Sequence, residues 1–277
     1  MKPQLQHVSD TALMVAACRA LETRRPDGFI YDPLAERLAG ERGMAIVQSA
    51  PERDWMCFAI GVRSRFVDEL LLSAIERNEA TTVANLGAGL DTRPWRLPLP
   101  SGVRWVEADF EPLLQYKAGL LAGDRPRCTV ERVYADLTTE PGRTAVWSAI
   151  GSEPALMITE GLLMYLPANA VASLAQTADA QSGVKRWLLD IVSDRMRQIA
   201  HVDRLPELEK LRAPDHLAGQ EILDMAAGSG WILAEKRRFV SDARKLAPER
   251  IAAMDAAAAN VLRPPEDDPS GVYLLRR

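Results

Sequence analysis

The stretch Val83-Ala84-Asn85-Leu86-Gly87-Ala88-Gly89-Leu90-Asp91 decides the fold of this 277-residue chain. A short apolar run leads directly into two glycines one residue apart, which is typical of a buried strand that ends in a tight turn. At such a turn a ligand can approach the backbone closely, because a Cβ atom at either glycine would intrude. In an open parallel sheet, ligands bind beyond the carboxyl ends of the strands. The stretch therefore predicts an α/β fold whose ligand site includes Gly87 and Gly89.

Six further apolar runs accompany this strand, and helical stretches separate the early ones. The seven strand candidates are Thr82–Leu86, Val103–Ala108, Thr129–Tyr134, Ala155–Thr159, Arg186–Val192, Trp231–Glu235 and Gly271–Leu275. This alternation of strands and helices predicts a doubly wound, seven-stranded, mostly parallel sheet of the Rossmann-like kind. Because no helix follows the last run, we expect the final strand to be antiparallel.

Residues 1–80 have a different pattern and are predicted to be helical. We expect one structural domain, in which residues 1–80 form an N-terminal helical layer or lid and residues 81–277 form the ligand-binding core. Trp55, Met56 and Phe58 are candidates for a lid that excludes water from the site. A purely structural layer is the alternative.

A carboxylate lies about twenty residues after the glycine turn, at the end of the next predicted strand. The segment Trp105-Val106-Glu107-Ala108-Asp109 offers two candidates, Glu107 and Asp109. At this spacing a carboxylate usually binds ribose, because it accepts hydrogen bonds from both hydroxyls at once. Together the two signals predict a cofactor that contains a nucleoside, although a glycine pair alone is also compatible with an ordinary tight turn.

The residue after the turn favours one class of cofactor. The dinucleotide pattern GxGxxG is absent, and Asp91 follows the glycines instead. A pyrophosphate group requires a helix N-terminus without a nearby anion, whereas a ligand that carries an ammonium and a sulfonium tolerates the carboxylate. The sequence thus favours S-adenosylmethionine over a nicotinamide cofactor. A second glycine segment, Ala226–Gly230, follows a predicted helix and is interpreted as the end of that helix.

Composition argues against several other classes of function. The net charge of -4 and the pI near 5.6 provide no basic surface for nucleic acid. The three cysteines and three histidines have no zinc-binding spacing, so we expect no metal site. No apolar run is long enough to cross a bilayer, and Ala12–Cys18 is interpreted as a helix capped by Ser9 or Asp10 rather than as a signal peptide. We therefore expect a cytoplasmic protein.

Several segments resemble the leucine carboxyl methyltransferase family, including its bacterial branch of polyketide O-methyltransferase-like proteins. These segments are Thr11–Glu22, Tyr31–Ala35, Val62–Asp68, Asn85–Arg96, Glu107–Phe110, Ala135–Leu137 and Thr159–Leu166. The stretch NLGAGLDTRPWR is the most specific, because it replaces the third glycine of the general methyltransferase pattern GxGxG with Asp91. The resemblance implies a class I methyltransferase fold with S-adenosyl-L-methionine as the cofactor.

The resemblance also implies roles at the amino-acid end of the cofactor. Arg63 would bind the methionine carboxylate, which suits the planar guanidinium group, and Glu160 would lie beside the methionine ammonium. Gly87 and Gly89 would line the junction between methionine and ribose. Without the resemblance, Arg63 is typical of a solvated helix face and Glu160 of a helix cap.

At the nucleoside end, the resemblance assigns the ribose to Asp109. Asp136 would accept a hydrogen bond from the adenine amino group, and the backbone of Leu137 would face the ring. Because Asp136 precedes two threonines, a role at the start of a helix is the alternative. Asp91 either contacts the ligand or orients the loop, and Arg19 would meet either the cofactor or an acidic substrate.

The reaction that the resemblance implies is methyl transfer to an oxygen atom of a small-molecule acceptor. A carboxylate is already ionised at neutral pH and needs no base, whereas a phenol, with a pKa of about 10, benefits from one. Tyr165 and Tyr31 are candidates to orient the acceptor, and His201 or His216 to line its pocket. The sequence permits carboxyl and hydroxyl methylation alike. The alternatives are a non-catalytic binding module with the same fold and a nicotinamide-dependent oxidoreductase.

Overall fold

The computed structural model describes residues 8–50, 53–181, 183–194, 196, 212–257 and 268–277. Its strands are β1 (Thr82–Leu86), β2 (Arg104–Asp109), β3 (Thr129–Tyr134), β4 (Ala155–Thr159), β5 (Val184–Ile191), β6 (Ile232–Arg238) and β7 (Gly271–Arg276). They form one sheet in the order β3-β2-β1-β4-β5-β7-β6. Strands β1 to β5 are parallel, and β7 runs antiparallel between β5 and β6. The predicted doubly wound sheet and its antiparallel last strand are confirmed.

Helices precede the sheet and connect its strands. Those before the sheet are α1 (Val8–Thr23), α2 (Ala35–Ser49) and α3 (Arg53–Glu76). The connections between parallel strands contain α4 (Arg93–Arg96), α5 (Glu111–Leu120), α6 (Glu140–Ile150) and α7 (Ala168–Gln181). Later in the chain come α8 (Gln220–Gly228), α9 (Ser241–Leu246) and α10 (Pro248–Ala257). No helix in the described ranges has both the length and the apolar character that a membrane span requires.

Alternate side chains of the central strands point to opposite faces of the sheet, so the core has two halves. All five residues of β1 are buried, as expected for a parallel strand that is covered on both faces. Leu86 belongs to one apolar cluster with Trp187, whereas Val83 belongs to the opposite cluster with Trp105. Backbone hydrogen bonds hold β1 to β5 side by side, and their parallel direction brings their carboxyl ends to one edge of the sheet.

Helix α1 of the N-terminal layer is tied to the turn that follows β1. Arg19 donates a hydrogen bond to the carbonyl oxygen of Leu90 at 2.7 Å and another to Asp32 Oδ2 at 2.9 Å. The Thr92 hydroxyl donates to the same carboxylate oxygen at 2.6 Å. Arg19 therefore has a structural task in joining α1 to the glycine turn, which the sequence did not suggest.

The three candidate lid residues pack inside the layer. Phe58 is 3% exposed, and its ring centroid lies 5.4 Å from that of Phe29 and 5.3 Å from that of Trp55. Met56 packs against a different apolar cluster, which contains residues of α1 and α2. Because these side chains pack into the apolar core around α3, they do not cover a ligand site. A lid role for the layer stays a prediction that now depends on α1.

The second glycine segment ends a helix, as the sequence predicted. Helix α8 ends at Gly228, and the Ser229 N–H donates to the carbonyl oxygens of Met225 and Ala226. Gly230 has a φ of +87°, which glycine adopts without steric cost. The chain then enters β6, so this segment turns the backbone and leaves the cofactor role to the glycines after β1.

Candidate functional site

A cleft opens at the carboxyl ends of β1 to β4, between the glycine turn and helix α1. All eight residues predicted to bind the cofactor line it: Arg63, Gly87, Gly89, Asp91, Asp109, Asp136, Leu137 and Glu160. Asp109 is the last residue of β2, the others lie within five residues after β1, β3 or β4, and Arg63 reaches the cleft from α3. The topology brings them together because the carboxyl ends of neighbouring parallel strands meet at the same edge of a sheet.

The turn after β1 needs glycine at both predicted positions. Gly87 and Gly89 have φ values of +66° and +47°, a region that L-residues with a Cβ rarely adopt. A Cβ atom on Gly87 would also lie 2.8 Å from Leu162 Cδ1. The Gly87 N–H donates to the Ala108 carbonyl oxygen at 2.8 Å, which fixes the turn to the end of β2.

The two acidic residues of β2 have different surroundings, and Asp109 is the one that faces the cleft. Its Oδ2 accepts from the Gly89 N–H and its Oδ1 from the Phe110 N–H, both at 2.7 Å. Burial raises the pKa of Asp109, and these two hydrogen bonds offset only part of the effect. Glu107 is completely buried beneath α5, where its Oε1 accepts from Lys117 Nζ at 2.6 Å. Of the two alternatives that the spacing left open, Glu107 is thus part of the core.

Arg63 lies between two carboxylates at the ends of β4 and β5. Its Nε donates to Glu160 Oε1 at 2.9 Å, and its Nη1 is 3.4 Å from Asp190 Oδ2. Asp190 Oδ1 accepts in turn from the Gly161 N–H at 2.6 Å. With 15% of its side chain exposed, Arg63 does not sit on a solvated helix face. A guanidinium group and a carboxylate therefore stand together at one end of the cleft.

Arg93 joins Glu160 to the glycine turn and to α3, and sequence reasoning missed it. Its Nε donates to Asp68 Oδ1 at 2.6 Å, its Nη1 to Asp91 Oδ2 at 3.0 Å, and its Nη2 is 2.8 Å from Glu160 Oε2. Asp91 also accepts from Asn85 Nδ2 at 2.7 Å and from the Arg93 N–H at 2.9 Å. These bonds engage both oxygens of Asp91 within the turn, which favours the loop-orienting role.

The guanidinium groups keep two buried carboxylates ionised. Burial alone would raise the pKa of Glu160 and of Asp91, but Arg93 and further cations outweigh it and hold both pKa values below the ordinary range. At Asp190 the balance is reversed, because burial raises its pKa by more than Arg63 lowers it. Asp190 carries the same sequence signal as Asp109, an acid at the end of an apolar strand, and could have been found by it.

Asp136 and Leu137 follow β3 at the other end of the cleft. Asp136 Oδ1 accepts from the backbone N–H of Thr138 at 2.9 Å and from its hydroxyl at 2.7 Å. The cap of α6 is Thr139, whose side chain accepts from the Gly142 N–H. Asp136 therefore shapes the turn before the helix without capping it. Within the described part of the chain its Oδ2 has no hydrogen-bond partner.

The two tyrosine candidates are in different places. Tyr165 lines the cleft, and burial raises the pKa of its phenol despite the nearby Arg63 charge. It is therefore protonated at neutral pH and can donate a hydrogen bond. Tyr31 is 73% exposed and does not line the cleft, because the flanking Ile30 and Asp32 point into the protein. Tyr31 is therefore not among the residues that line the cleft, and a role for it in orienting an acceptor stays a prediction.

The histidine candidates do not line this cleft either, as far as the described residues extend. His216 borders a smaller neighbouring cavity beside Asp190, and its Nδ1 lies 2.7 Å from the Ala213 carbonyl oxygen. His201 lies outside the described residues.

Solved structures of other proteins share the architecture of this chain. A DUF574 family protein from Streptomyces avermitilis matches with a TM-score of 0.60 at 16% identity, over 95% of this chain and 96% of that chain. The small RNA methyltransferase HEN1 matches with a TM-score of 0.50 at 14% identity, over 77% of this chain and 26% of that chain. At such identities the likeness concerns the fold alone. The chain has the Rossmann-like fold of class I methyltransferases.

The family follows from the sequence comparisons. The family model for leucine carboxyl methyltransferase matches residues 12–179, and the chain belongs to this family. A candidate S-adenosyl-L-methionine-dependent methyltransferase from Frankia alni is 38% identical over 184 residues, which are 62% of this chain and 64% of the relative. Another from Streptomyces avermitilis is 35% identical over 185 residues, with the same coverage. The matches thus span slightly less than two thirds of these curated relatives. The resemblance found in the sequence motifs is confirmed.

Proposed function

We propose that this protein is an S-adenosyl-L-methionine-dependent O-methyltransferase that acts on a carboxylate or a hydroxyl group of a small molecule. One observation carries the proposal. A single cleft contains the oppositely charged pair Arg63 and Glu160, the open glycine turn, the carboxylate of Asp109 and the carboxylate of Asp136. Their order follows the neighbouring strands β4, β1, β2 and β3 of the sheet. This order corresponds to the zwitterionic, thioether, ribose and adenine portions of the cofactor.

The chemistry of the cleft fits that cofactor. A carboxylate has about four acceptor positions, so Asp109 can accept from two ribose hydroxyls while it keeps its bonds to the Gly89 and Phe110 N–H groups. The glycine turn leaves space that the Cβ of an alanine at position 87 would reduce. In addition, the charges of Arg63 and Glu160 are complementary to an α-carboxylate and an α-ammonium group.

Each predicted residue then has a proposed task. Arg63 binds the amino-acid carboxylate and Glu160 the ammonium group, while Gly87 and Gly89 allow close approach at the ribose junction. Asp109 binds the ribose. Its two contacts with backbone N–H groups hold the carboxylate in place before the ligand arrives.

The adenine end uses Asp136 and the backbone of Leu137, which faces the ring. Asp136 Oδ2, which has no hydrogen-bond partner among the described residues, accepts from the exocyclic amino group. Asp91 holds the loop through Asn85 and Arg93. When bound, the cofactor supplies an electrophilic methyl group on a sulfonium centre.

The chain's own contribution to methyl transfer is alignment and exclusion of water. Thr11, Ala12 and Val15 of α1 line the cleft opposite the glycine turn. A Cβ atom on Gly89 would lie 3.5 Å from Ala12 Cβ. We infer that α1 is the part of the helical layer of residues 1–80 that covers the bound cofactor on the core of residues 81–277.

Tyr165 is the residue proposed to orient the acceptor oxygen. Because its phenol stays protonated, it can donate a hydrogen bond to a carboxylate or a hydroxyl oxygen, and it does not serve as a base. A carboxylate acceptor needs no base, since it is already ionised at neutral pH. The proposal therefore includes both carboxylate and hydroxyl acceptors.

Calorimetry with S-adenosylhomocysteine tests the cofactor assignment. We expect binding to the wild-type protein at micromolar concentrations and a loss of about tenfold or more in Arg63→Ala, because hydrogen bonds to charged groups contribute about 1.5–3 kcal/mol. Arg65→Ala is the matched control, since Arg65 lies two residues away on α3 with half of its side chain exposed and pairs with Glu69. Absence of binding to the wild-type protein would contradict the proposal, and quenching of NADH fluorescence would support the oxidoreductase instead.

Transfer of a radioactive methyl group tests the reaction. The protein is incubated with methyl-labelled S-adenosylmethionine and separate panels of carboxylic acids and phenols. Mild alkali releases labelled methanol from a methyl ester and leaves a methyl ether intact, so the product class is read directly. Cofactor binding without transfer to either panel would support the non-catalytic binding module.

A further inference from the structure

The guanidinium group of Arg93 occupies an unusual position at the centre of three buried carboxylates. Its three nitrogen atoms point to Asp68 on α3, to Asp91 in the glycine turn and to Glu160 at the end of β4, at 2.6, 3.0 and 2.8 Å. Only 4% of the Arg93 side chain is exposed. A planar guanidinium group can satisfy three separate acceptors in this way, whereas the single ammonium of a lysine cannot hold the same geometry.

Glu160 receives an arginine on each of its oxygen atoms. Arg63 contacts Oε1 from α3, and Arg93 contacts Oε2 from α4. The carboxylate is thereby fixed in plane and orientation, and each oxygen retains an acceptor position that points elsewhere. Arg93 opposes the effect of burial on the Glu160 pKa more strongly than Arg63 does.

We propose that Arg93 is a positioning residue that sets the affinity for the amino-acid end of the cofactor by fixing Glu160. This inference rests on the proposed function, since it assumes that Glu160 binds the α-ammonium group. Arg93 contacts Glu160 Oε2 and so holds the negative charge of Glu160 at one position in the cleft. No hydrogen bond or ion pair within the described residues joins Arg93 to Asp109 or Asp136, which bind the adenosyl end. In Arg93→Lys, the Asn85 side chain and the backbone N–H of residue 93 can still hold Asp91 in the glycine turn, so we expect the adenosyl end to change little.

Two ligands separate the two ends of the site. S-adenosylhomocysteine carries the adenosyl group and the amino acid, whereas 5′-methylthioadenosine carries the adenosyl group and the thioether without the amino acid. For Arg93→Lys we expect the dissociation constant of S-adenosylhomocysteine to rise about tenfold to hundredfold. For 5′-methylthioadenosine we expect a change below about twofold, within the usual additivity error of distant sites.

Arg96→Lys is the matched control. Arg96 lies one helical turn along α4, is similarly buried, and donates to the same Asp68 carboxylate at 2.6 and 2.9 Å. None of its contacts within the described residues reaches Glu160. We therefore expect Arg96→Lys to affect both ligands equally, whatever it does to stability. Equal weakening of the two ligands by Arg93→Lys as well would assign Arg93 a purely structural role and overturn the proposal.

A double-mutant cycle with Glu160→Gln tests whether Arg93 acts through Glu160. If it does, Arg93→Lys has little further effect on S-adenosylhomocysteine binding once Glu160 is an amide, so the two losses do not add. Fully additive losses would overturn the proposal. Should Arg93→Lys fail to fold, Asp68→Ala takes its place, because it removes the carboxylate that accepts from Arg93 Nε and leaves Glu160 intact. For it we expect a loss of about threefold to tenfold that is specific to S-adenosylhomocysteine, and an unchanged ratio of the two affinities would overturn the proposal.

These results are distinguishable from failure of the proposed function. If the wild-type protein binds neither ligand, the cofactor assignment itself is wrong. If the wild-type protein binds S-adenosylhomocysteine and Arg93→Lys binds it equally well, the cofactor assignment stands and the role of Arg93 is refuted.

Discussion

Glu107 and Asp109 lie two residues apart on β2, and converting each carboxylate to its amide should separate folding from binding. Glu107 and Lys117 have no exposed side-chain surface, and their charged atoms are 2.6 Å apart. Glu107→Gln leaves the buried ammonium without its counter-charge, and breaking such a pair costs about 3–5 kcal/mol. At roughly 2 °C per kcal/mol for a chain of this size, we expect the melting temperature to fall by about 6–10 °C. Because Glu107 does not line the cleft, the affinity for S-adenosylhomocysteine should hardly change.

Asp109→Asn should have the opposite effects, a large loss of affinity and a smaller loss of thermal stability. Its carboxylate lines the cleft and is proposed to accept from the ribose hydroxyls, a charged interaction of about 1.5–3 kcal/mol. We therefore expect the dissociation constant of S-adenosylhomocysteine to rise about 10- to 150-fold. The melting temperature should fall less than in Glu107→Gln, because the asparagine oxygen still accepts from Gly89 or Phe110.

Thermal unfolding without ligand and calorimetry at a temperature well below the transition measure the two effects. Glu111→Gln, which changes an exposed carboxylate in the first turn of α5, should match the wild-type protein in both. The reasoning is refuted if Glu107→Gln has the same melting temperature as the wild-type protein. It is also refuted if Glu107→Gln loses as much affinity for S-adenosylhomocysteine as Asp109→Asn.

Three further predictions concern the same site and its support. First, the pKa of Asp109 is raised by burial and binding favours its ionised form, so affinity for S-adenosylhomocysteine should be lost as the pH falls through that pKa. The loss, followed by calorimetry between about pH 7 and pH 4, should begin at a higher pH than for an ordinary aspartate. Second, Gly87→Ala places a Cβ 2.8 Å from Leu162 Cδ1 at a positive φ; we expect a stability loss of about 1–3 kcal/mol in denaturant titrations and weaker binding. Third, Phe58→Ala should cost about 3–5 kcal/mol of unfolding free energy and leave the affinity unchanged.

Each of these has a control or a contrary outcome. Asp109→Asn should bind weakly with a flatter pH dependence, and an unchanged profile would assign the titration to another group. Gly102→Ala is the control for Gly87→Ala, because a Cβ there meets no atom within 4 Å; similar behaviour of the two variants would contradict the steric argument. If folded Phe58→Ala loses much of its affinity for S-adenosylhomocysteine, Phe58 would again be a candidate lid residue.

The fold could be predicted from the sequence because its signals are local. The apolar run of β1 is buried on both faces, and the glycines that follow have the positive φ values that their spacing suggested. The end of the chain likewise forms an antiparallel strand, as the missing helix indicated. These features depend on a few consecutive residues, so they can be recognised in the sequence without knowing which residues lie nearby in space.

The supporting network could not be predicted in the same way. Arg93 pairs with Asp68, which is 25 residues away, and Arg63 pairs with Glu160, which is 97 residues away. Charged residues on helices have the same pattern in the sequence whether they face solvent or one another. Only the packing of α3 and α4 against the sheet brings these groups together. Tyr31 shows the converse, since a residue in a matching segment points to solvent between two buried neighbours.

A crystal structure with S-adenosylhomocysteine tests the cofactor assignment most directly. We expect the ribose hydroxyls at hydrogen-bond distance from the Asp109 carboxylate, the adenine amino group at Asp136, and the amino-acid end between Arg63 and Glu160. A ligand bound outside this cleft, or bound in it with Asp109 and Glu160 both beyond hydrogen-bond distance, would contradict the assignment.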